Sequence, residues 1–244
     1  MKLYAISCEV FWRECSRAVA YSPHVAEVSF LSFGLHNEPD ELRRTVQAEI
    51  DKASDGKFDY ILLGYGLCSR GTAELVARNT PIVIPRAHDC ITLMLGSREK
   101  YQQEFSEHPG TYYYTTGWIE RKEGDVSQGG MEIVQDRQAL ERYHEYVEKY
   151  GEDNAKFLLE QESQWYSNYN RAAFIDTGLG DIEYYRRFTQ HVADTKEWSY
   201  EEVKGDLRLV DKLFYGEWDE SEFLIVQPGQ KTFEDVNAGI IGAS

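Results

Sequence analysis

Two stretches, FDYILLGYGLC (58–68) and PIVIPRAHDC (81–90), decide the fold. Each opens with a short, unbroken apolar run, Ile61-Leu62-Leu63 and Ile82-Val83-Ile84, and each run leads into a glycine- or proline-bearing loop that ends in a cysteine. An apolar run of that length without polar alternation reads as a strand covered on both faces, as in a parallel sheet. Toward the N-terminus, LYAIS (3–7) and AEVSFLSF (26–33) repeat the pattern, separated by the helical stretch EVFWRECSRAVAY (9–21). Behind Pro39, the residues Leu42, Val46, Ile50 and Ala53 recur at helical spacing until Asp55-Gly56. A short helix is expected over 72–78. Asp89 is placed to cap another through ITLMLGSREKYQQEF (91–105), which stops before His108-Pro109-Gly110.

Strands alternating with helices force parallel pairing, because each crossover passes over a sheet face. The fold class is therefore read as α/β. A doubly wound, mostly parallel sheet forms a Rossmann-like lobe over 1–120, and a second, smaller α/β lobe over 171–244 packs on it. GTYYYTTGWIE (110–120) reads as an extra strand leading out of the first lobe, with its aromatics walling a pocket or filling the interlobe core. Residues 121–170 read as a polar loop followed by a helical connection broken near Gly151. The second lobe is assembled from AAFID (172–176), a helix over 181–194, WSYEEV (198–203), a helix over 206–214 and EFLIV (222–226). The tail NAGIIGAS (237–244) reads as a frayed end or a partner contact.

The chain has 244 residues, 42% hydrophobic and 14% aromatic, which excludes a disordered protein. Forty-two acidic residues against 26 basic ones leave a net charge of −16. That balance argues against nucleic acid or an anionic membrane as partner, since phosphate neutralisation needs a basic surface. No stretch approaches the ~18 apolar residues of a membrane span. The start, MKLYAISCEVFWREC, carries a single lysine and its apolar run stops at Glu9, so no secretory leader is expected and the cytoplasm is the expected location. Cysteines there stay reduced, for packing, metal binding or reactivity.

Where the cysteines fall is informative. Cys8 follows LYAIS, Cys68 follows FDYILLG, and Cys90 follows PIVIP; His36 follows AEVSFLSF, and His88 lies two residues before Cys90. In a parallel sheet all these junctions share one edge, the carboxyl ends of the strands, where open α/β folds bind ligands. Each cysteine also precedes or opens a helix, whose positive end favours thiolate. Cys8, Cys68 and Cys90 with His36 or His88 make a ligand set for zinc, for another thiophilic metal or for an iron–sulfur cluster. Glu9 and Arg86 are candidates for catalytic work at the same edge: Glu9 as base or histidine orienter, Arg86 as a fork onto carboxylate or phosphate. Tyr65 and Gly66 are cofactor-binding candidates because the glycine-rich turn admits close backbone approach, and Gly178 and Gly180 because their turn opens a helix and can cradle an anion. The plainer alternatives carry equal weight. Cysteine is among the most buried residues, no C-x-x-C is present, Asp89 and Asp181 suit helix caps, and Arg86 suits an ion pair. Cys15, two turns beyond Cys8 along the same helix, reads as packing. The chain contains no G-x-S-x-G, Walker loop or H-E-x-x-H.

In their order, CEV, LGYGLC, IPRAHDCITLMLGSREKY, HPGTYYYTTGWIE, IDTGLGD and FLIVQPG resemble a microbial family catalogued as a domain of unknown function. The resemblance runs over most of the chain, and its motif carries Cys8, Cys68, His88 and Cys90. Genes of that family often lie beside corrinoid-dependent methyltransferases. The resemblance thus implies a tie to methyl-group or corrinoid metabolism, with a corrinoid as possible cofactor and a corrinoid protein or methyltransferase as partner. It implies no particular reaction. Three functional readings stay open: a metal-dependent enzyme or metal-handling protein acting on a small molecule, a metal-free enzyme with Cys90 as nucleophile and His88 as base, and a non-catalytic accessory module.

Overall fold

The computed structural model describes residues 1–122, 143–152, 154–156, 168–235 and 240–244. They divide into two compact units, one made of Met1–Gln102 with Gly205–Ser244, the other of Gln103–Lys204.

The first unit is built on a five-stranded sheet. Its strands are β1 (Lys2–Cys8), β2 (Val25–Leu31), β3 (Tyr60–Gly64), β4 (Ile82–Pro85) and, from the returning chain, the strand Phe223–Val226. The order is β2, β1, β3, β4, then Phe223–Val226; the first four run parallel and the last pairs antiparallel with β4. The chain leaves β1 for β2 on one side, then crosses back to place β3 on the other. The strand order therefore reverses between β1 and β3, the position at whose carboxyl edge open α/β sheets bind ligands. Ile61, Leu62 and Leu63 are fully buried, as a strand covered on both faces requires. Helix α1 (Trp12–Tyr21) connects β1 to β2, and α2 (Pro39–Ala53) buries Leu42, Val46, Ile50 and Ala53 in one core with Ile61 and Leu63. Helices α3 (Cys90–Leu95) and α4 (Arg98–Glu107) are separated at Gly96, whose φ of +79° ends α3 in the left-handed conformation.

The second unit has a three-stranded parallel sheet of β5 (Thr111–Thr115), β6 (Arg171–Asp176) and β7 (Ser199–Lys204), in that order. Helix α5 (Thr116–Lys122) follows β5, and α6 (Ile182–Thr195) packs Phe188 and Val192 into the core with Tyr112, Tyr114 and Phe174. Trp118, Tyr169 and Trp198 pack against that core, so the aromatics of this segment belong to the second unit's own interior. Arg171, 6% exposed at its side chain, is held by Glu104 at 3.3 Å and Glu201 at 2.7 Å.

The α/β class and the mostly parallel sheet agree with the sequence reading, but the chain divides elsewhere. β5 pairs along its whole length with β6, which pulls 111–122 out of the first lobe and into the second unit. The residues after Lys204 return to the first unit as α7 (Arg208–Tyr215), β8 (Phe223–Val226), β9 (Thr232–Asp235) and β10 (Ile240–Ala243). The division expected at 120 and 171 is corrected accordingly, because long-range strand pairing outweighs chain order. Most of the expected 121–170 connection lies outside the described residues. The extra strand expected over 110–120 stops at Thr115, and the rest is helix. No helix forms over 72–78, since that stretch gives its backbone to the returning chain: Glu74 N donates to Thr232 O at 2.8 Å and Ala77 N to Gln230 O at 3.0 Å. Nor is the end of the tail frayed. β10 pairs with β9, and Ile241 is fully buried in the first unit's core. Ile241→Ala should therefore cost about 2–5 kcal/mol, as for other buried isoleucines cut to alanine, read as a lowered urea midpoint of the full chain.

Candidate functional site

The carboxyl edge of the first unit's sheet is assembled from backbone outward. Cys8 is the last residue of β1, and Glu9 turns the chain into a short 3-10 helix. Glu9 Oε1 accepts from Phe33 N at 2.7 Å, which ties the end of β1 to the end of β2. The loops after β3 and β4 are joined by two backbone bonds, Leu67 N to Ala87 O at 2.8 Å and Cys68 N to His88 O at 2.9 Å. Gly66 sits where these loops touch. A Cβ there would lie 2.7 Å from Asp89 N and 2.8 Å from Ala87 O, both backbone atoms that cannot swing aside. The glycine is therefore needed for the approach of the β4 loop.

Immediately after Gly66 and Leu67, Cys68, Ser69 and Arg70 have φ of +46°, +53° and +72°. Three consecutive non-glycine residues in the left-handed region store strain, of order 1–3 kcal/mol each. The turn is pinned by Gly71 N to Cys68 O at 2.9 Å and by Thr72 Oγ1 to Gly66 O at 2.9 Å. No composition signal announces such a run, because none of its members is glycine or asparagine.

The three thiols share one environment. Cys8 and Cys68 pack on the same core cluster; the charge of Cys8 acts on Cys68, and those of Cys68 and Cys8 act on Cys90. Burial pushes the Cys8 thiol up to about 11, with a further rise from Glu9. Burial pushes Cys68 up to about 12, and Asp89 and Cys8 add to it. Cys90 is raised well above its ordinary value by burial, then by Asp89, Cys68 and Cys8. The expectation of thiolates favoured by helix ends is thus reversed. Helix α3 has six residues, and its Asp89 cap puts a carboxylate beside Cys90. Desolvation and that negative charge outweigh the dipole of so short a helix. The thiols are protonated at neutral pH, in an electronegative setting. Among the described residues, no group of three or more His, Cys, Asp or Glu is gathered tightly enough to hold a metal ion.

Tyr65 stands beside them. It is 3% exposed, its hydroxyl has no hydrogen-bond partner among the described residues, and the charges acting most on it are those of Cys8, Cys68 and Glu9.

The remaining candidates take other roles. Arg86 donates from Nε to Glu220 O at 2.9 Å and from Nη1 to Ile241 O at 2.5 Å, so it clamps the returning chain to β4 through carbonyls. Asp89 caps α3, accepting from Ile91 N at 3.0 Å and Thr92 N at 3.2 Å, and its other oxygen accepts from the Tyr101 hydroxyl at 3.1 Å. His88 is exposed and stacks near Tyr101, with ring centroids 6.0 Å apart. His36 Nδ1 lies 2.6 Å from Phe33 O; because a carbonyl only accepts, that nitrogen carries the proton and Nε2 the lone pair. Gly178 and Gly180 belong to the second unit. There Gly178 N already donates to Asp176 Oδ1 at 2.7 Å, and Asp181 caps α6 through Tyr184 N at 3.1 Å. Both flanking aspartates thus brace this turn and the helix it opens. Cys15 is buried on α1, with its Sγ 3.5 Å from Ser7 Oγ, in keeping with packing.

An α/β unit with a mostly parallel sheet and half-buried thiols at the carboxyl ends of its strands is what the fold and this edge define. Residues 30–214 match the model of a family described as protein of unknown function (DUF1638), and the chain belongs to that family. The match takes in the β3 and β4 loops and begins after Cys8. No curated protein and no solved structure matches the chain.

Two outcomes follow from this geometry. Gly66→Ala should cost about 1–3 kcal/mol from backbone overlap, read as a lowered urea midpoint. The thiols set a pH dependence. An unfolded thiol loses its proton near 9, whereas Cys8 holds it to about 11, and Cys68 and Cys15 to about 12. The folded state therefore keeps protons that the unfolded chain releases, and stability falls as pH rises from about 9 through 12. Urea midpoints measured from pH 7 to 11 should be level up to about 8.5 and then decline; a rise across that window would contradict the burial of these thiols.

Proposed function

We propose that the chain is a cytoplasmic metal-binding protein whose Cys8, Cys68 and Cys90 thiols take a thiophilic divalent cation, zinc in the first instance. The observation that carries the reading is convergence. Cys8, Cys68 and Cys90 stand half-buried at or just after the ends of three neighbouring parallel strands, with Glu9 and Asp89 as the acting carboxylates, and this supports the reading. A cation suits that field, and it replaces the thiol protons on binding. Side-chain rotation is needed to draw the thiols into a closed set. A fourth ligand from His36 or His88 would close the set, whereas the three thiols alone leave one position open. The metal-free nucleophile reading has less support. Activation requires a lowered thiol value and a base at hand, whereas Cys90 is raised and His88 is exposed.

With the three thiols alone as ligands, the open position on the ion would face a small-molecule substrate, and the protein would be an enzyme. A metal-bound thiol is a known activated form for methyl transfer. The link to methyl-group or corrinoid metabolism suggested by the family resemblance is compatible with that chemistry, with a corrinoid protein or methyltransferase as partner.

The test is metal content. Protein purified anaerobically and supplied with zinc should hold one ion per chain. Cys8→Ala, Cys68→Ala and Cys90→Ala should each lose it, non-additively, because ligands of one ion act as a unit. Cys15→Ala should keep it and cost less than about 2 kcal/mol. Metal-free wild-type protein, or loss in Cys15→Ala with retention in Cys68→Ala, would sink the assignment.

A further inference from the structure

Between the start of α2, the loop 69–74 and β9, the first unit carries a cleft of about 400 Å³, a volume typical of small-molecule sites, and none of the three thiols lines it. Two ion pairs hold its walls. Arg43 donates to Asp40 Oδ1 at 3.0 Å, and its other nitrogens brace the loop through Ala73 O at 2.8 Å and Arg70 O at 3.4 Å. Arg70 Nε lies 3.0 Å from Glu234 Oε2 on β9. Each guanidinium is thus matched by a carboxylate, which leaves Glu74 as the unbalanced charge of the cleft. Its side chain is exposed, and no cation among the described residues pairs with it. Its place is fixed by the backbone, since Glu74 N donates to Thr232 O at 2.8 Å. Phe233 therefore stands on β9 between the residue that anchors Glu74 and the one that pairs with Arg70. Its ring rests on Gly242 of β10, where a Cβ would fall 2.5 Å from Cζ, and it remains 42% exposed. Ser69, Arg70 and Glu74 have φ of +53°, +72° and +66°, so three side chains of the cleft are presented by strained backbone. Such strain persists where the surroundings enforce it, and it gathers at ligand sites.

We propose that this cleft binds a small organic cation, a primary ammonium carried on a short apolar chain. An ammonium matches the one carboxylate of the cleft that the protein leaves unbalanced, and its N–H groups can donate to Glu74 and to the Ser69 hydroxyl. The apolar chain gains from the exposed Phe233 ring, and the cation gains further from the negative face of that ring. A carboxylate ligand fits less well, because Arg43 uses its donors on Asp40 and two carbonyls and Arg70 already stands against Glu234. Two guanidiniums against three carboxylates leave the cleft at −1, the same sign as the chain's −16. The proposal is independent of the metal reading, since it uses none of the residues that would hold the ion.

Titration of the full chain with n-butylammonium, followed in amide NMR spectra, provides the test, with n-butanol and butyrate as the neutral and anionic counterparts. Butylammonium should move the Ser69, Arg70, Glu74 and Gly242 amides along one saturable curve, and the two counterparts should leave them in place. Glu74→Gln should weaken binding about tenfold, the scale of one hydrogen bond between charged groups, and Phe233→Leu about threefold. Glu74→Gln should also keep the wild-type urea midpoint, since its side chain is exposed. The absence of a saturable shift at these amides, shifts spread over the whole acidic surface, or unchanged affinity in Glu74→Gln would each overturn the proposal. Equal binding of butyrate would overturn it by showing that Arg70 governs the cleft. A lowered urea midpoint or failure to fold in Glu74→Gln would overturn it too, by showing that the carboxylate serves the fold.

Discussion

The contact on which the candidate site depends is the approach of the β3 and β4 loops at Gly66. Two backbone hydrogen bonds, from Leu67 and Cys68 to Ala87 and His88, can form because nothing larger than hydrogen stands on the Gly66 α-carbon. Cys68 and Cys90 are thereby carried on loops that touch, and the left-handed turn at 68–70 is braced against the β4 loop. Relaxing this contact would free the strained turn. Strain of this kind persists only where surrounding structure over-determines it, and here the bracing comes from Thr72, from His88 and from the chain returning at Gln230 and Thr232.

The chemistry of the edge is set by desolvation more than by helix dipoles. A thiol at a helix start is commonly imagined as a thiolate, but that holds where water or a cation shares the site. Around Cys8, Cys68 and Cys90 the acting charges are carboxylates and other thiols, and all three are held neutral. Such a group of thiols is a poor nucleophile and a reasonable cation receptor, because an arriving ion both supplies the missing positive charge and displaces the protons.

Much of this was legible beforehand. The apolar runs of β1, β3 and β4 announced buried parallel strands, and their order along the chain placed Cys8, Cys68 and Cys90 at one edge. The helix face of Leu42, Val46, Ile50 and Ala53, and the caps Asp89 and Asp181, were equally plain, because period and capping are local properties. What misled was adjacency. Thr72 to Arg78 looked helical, and the end of the tail looked frayed. Each is determined by a partner far away in sequence or in the returning chain: the first by Gln230 and Thr232, the second by Thr232–Asp235, with which Ile240–Ala243 pairs.

The sequence by itself therefore determined the α/β class, the strands and helices with strong periodicity, and the placing of cysteines at strand ends, since these follow from side-chain pattern and chain direction alone. Only the tertiary structure decided the rest. Strand β5 joined β6 instead of the first sheet, and the last forty residues, 205–244, returned to the first unit, because pairing energy is gained wherever complementary edges meet, whatever their distance along the chain. The protonation of the thiols was decided there too. Burial and the company of Asp89 and Glu9 are properties of the folded surroundings, and no spacing of residues in a sequence carries them.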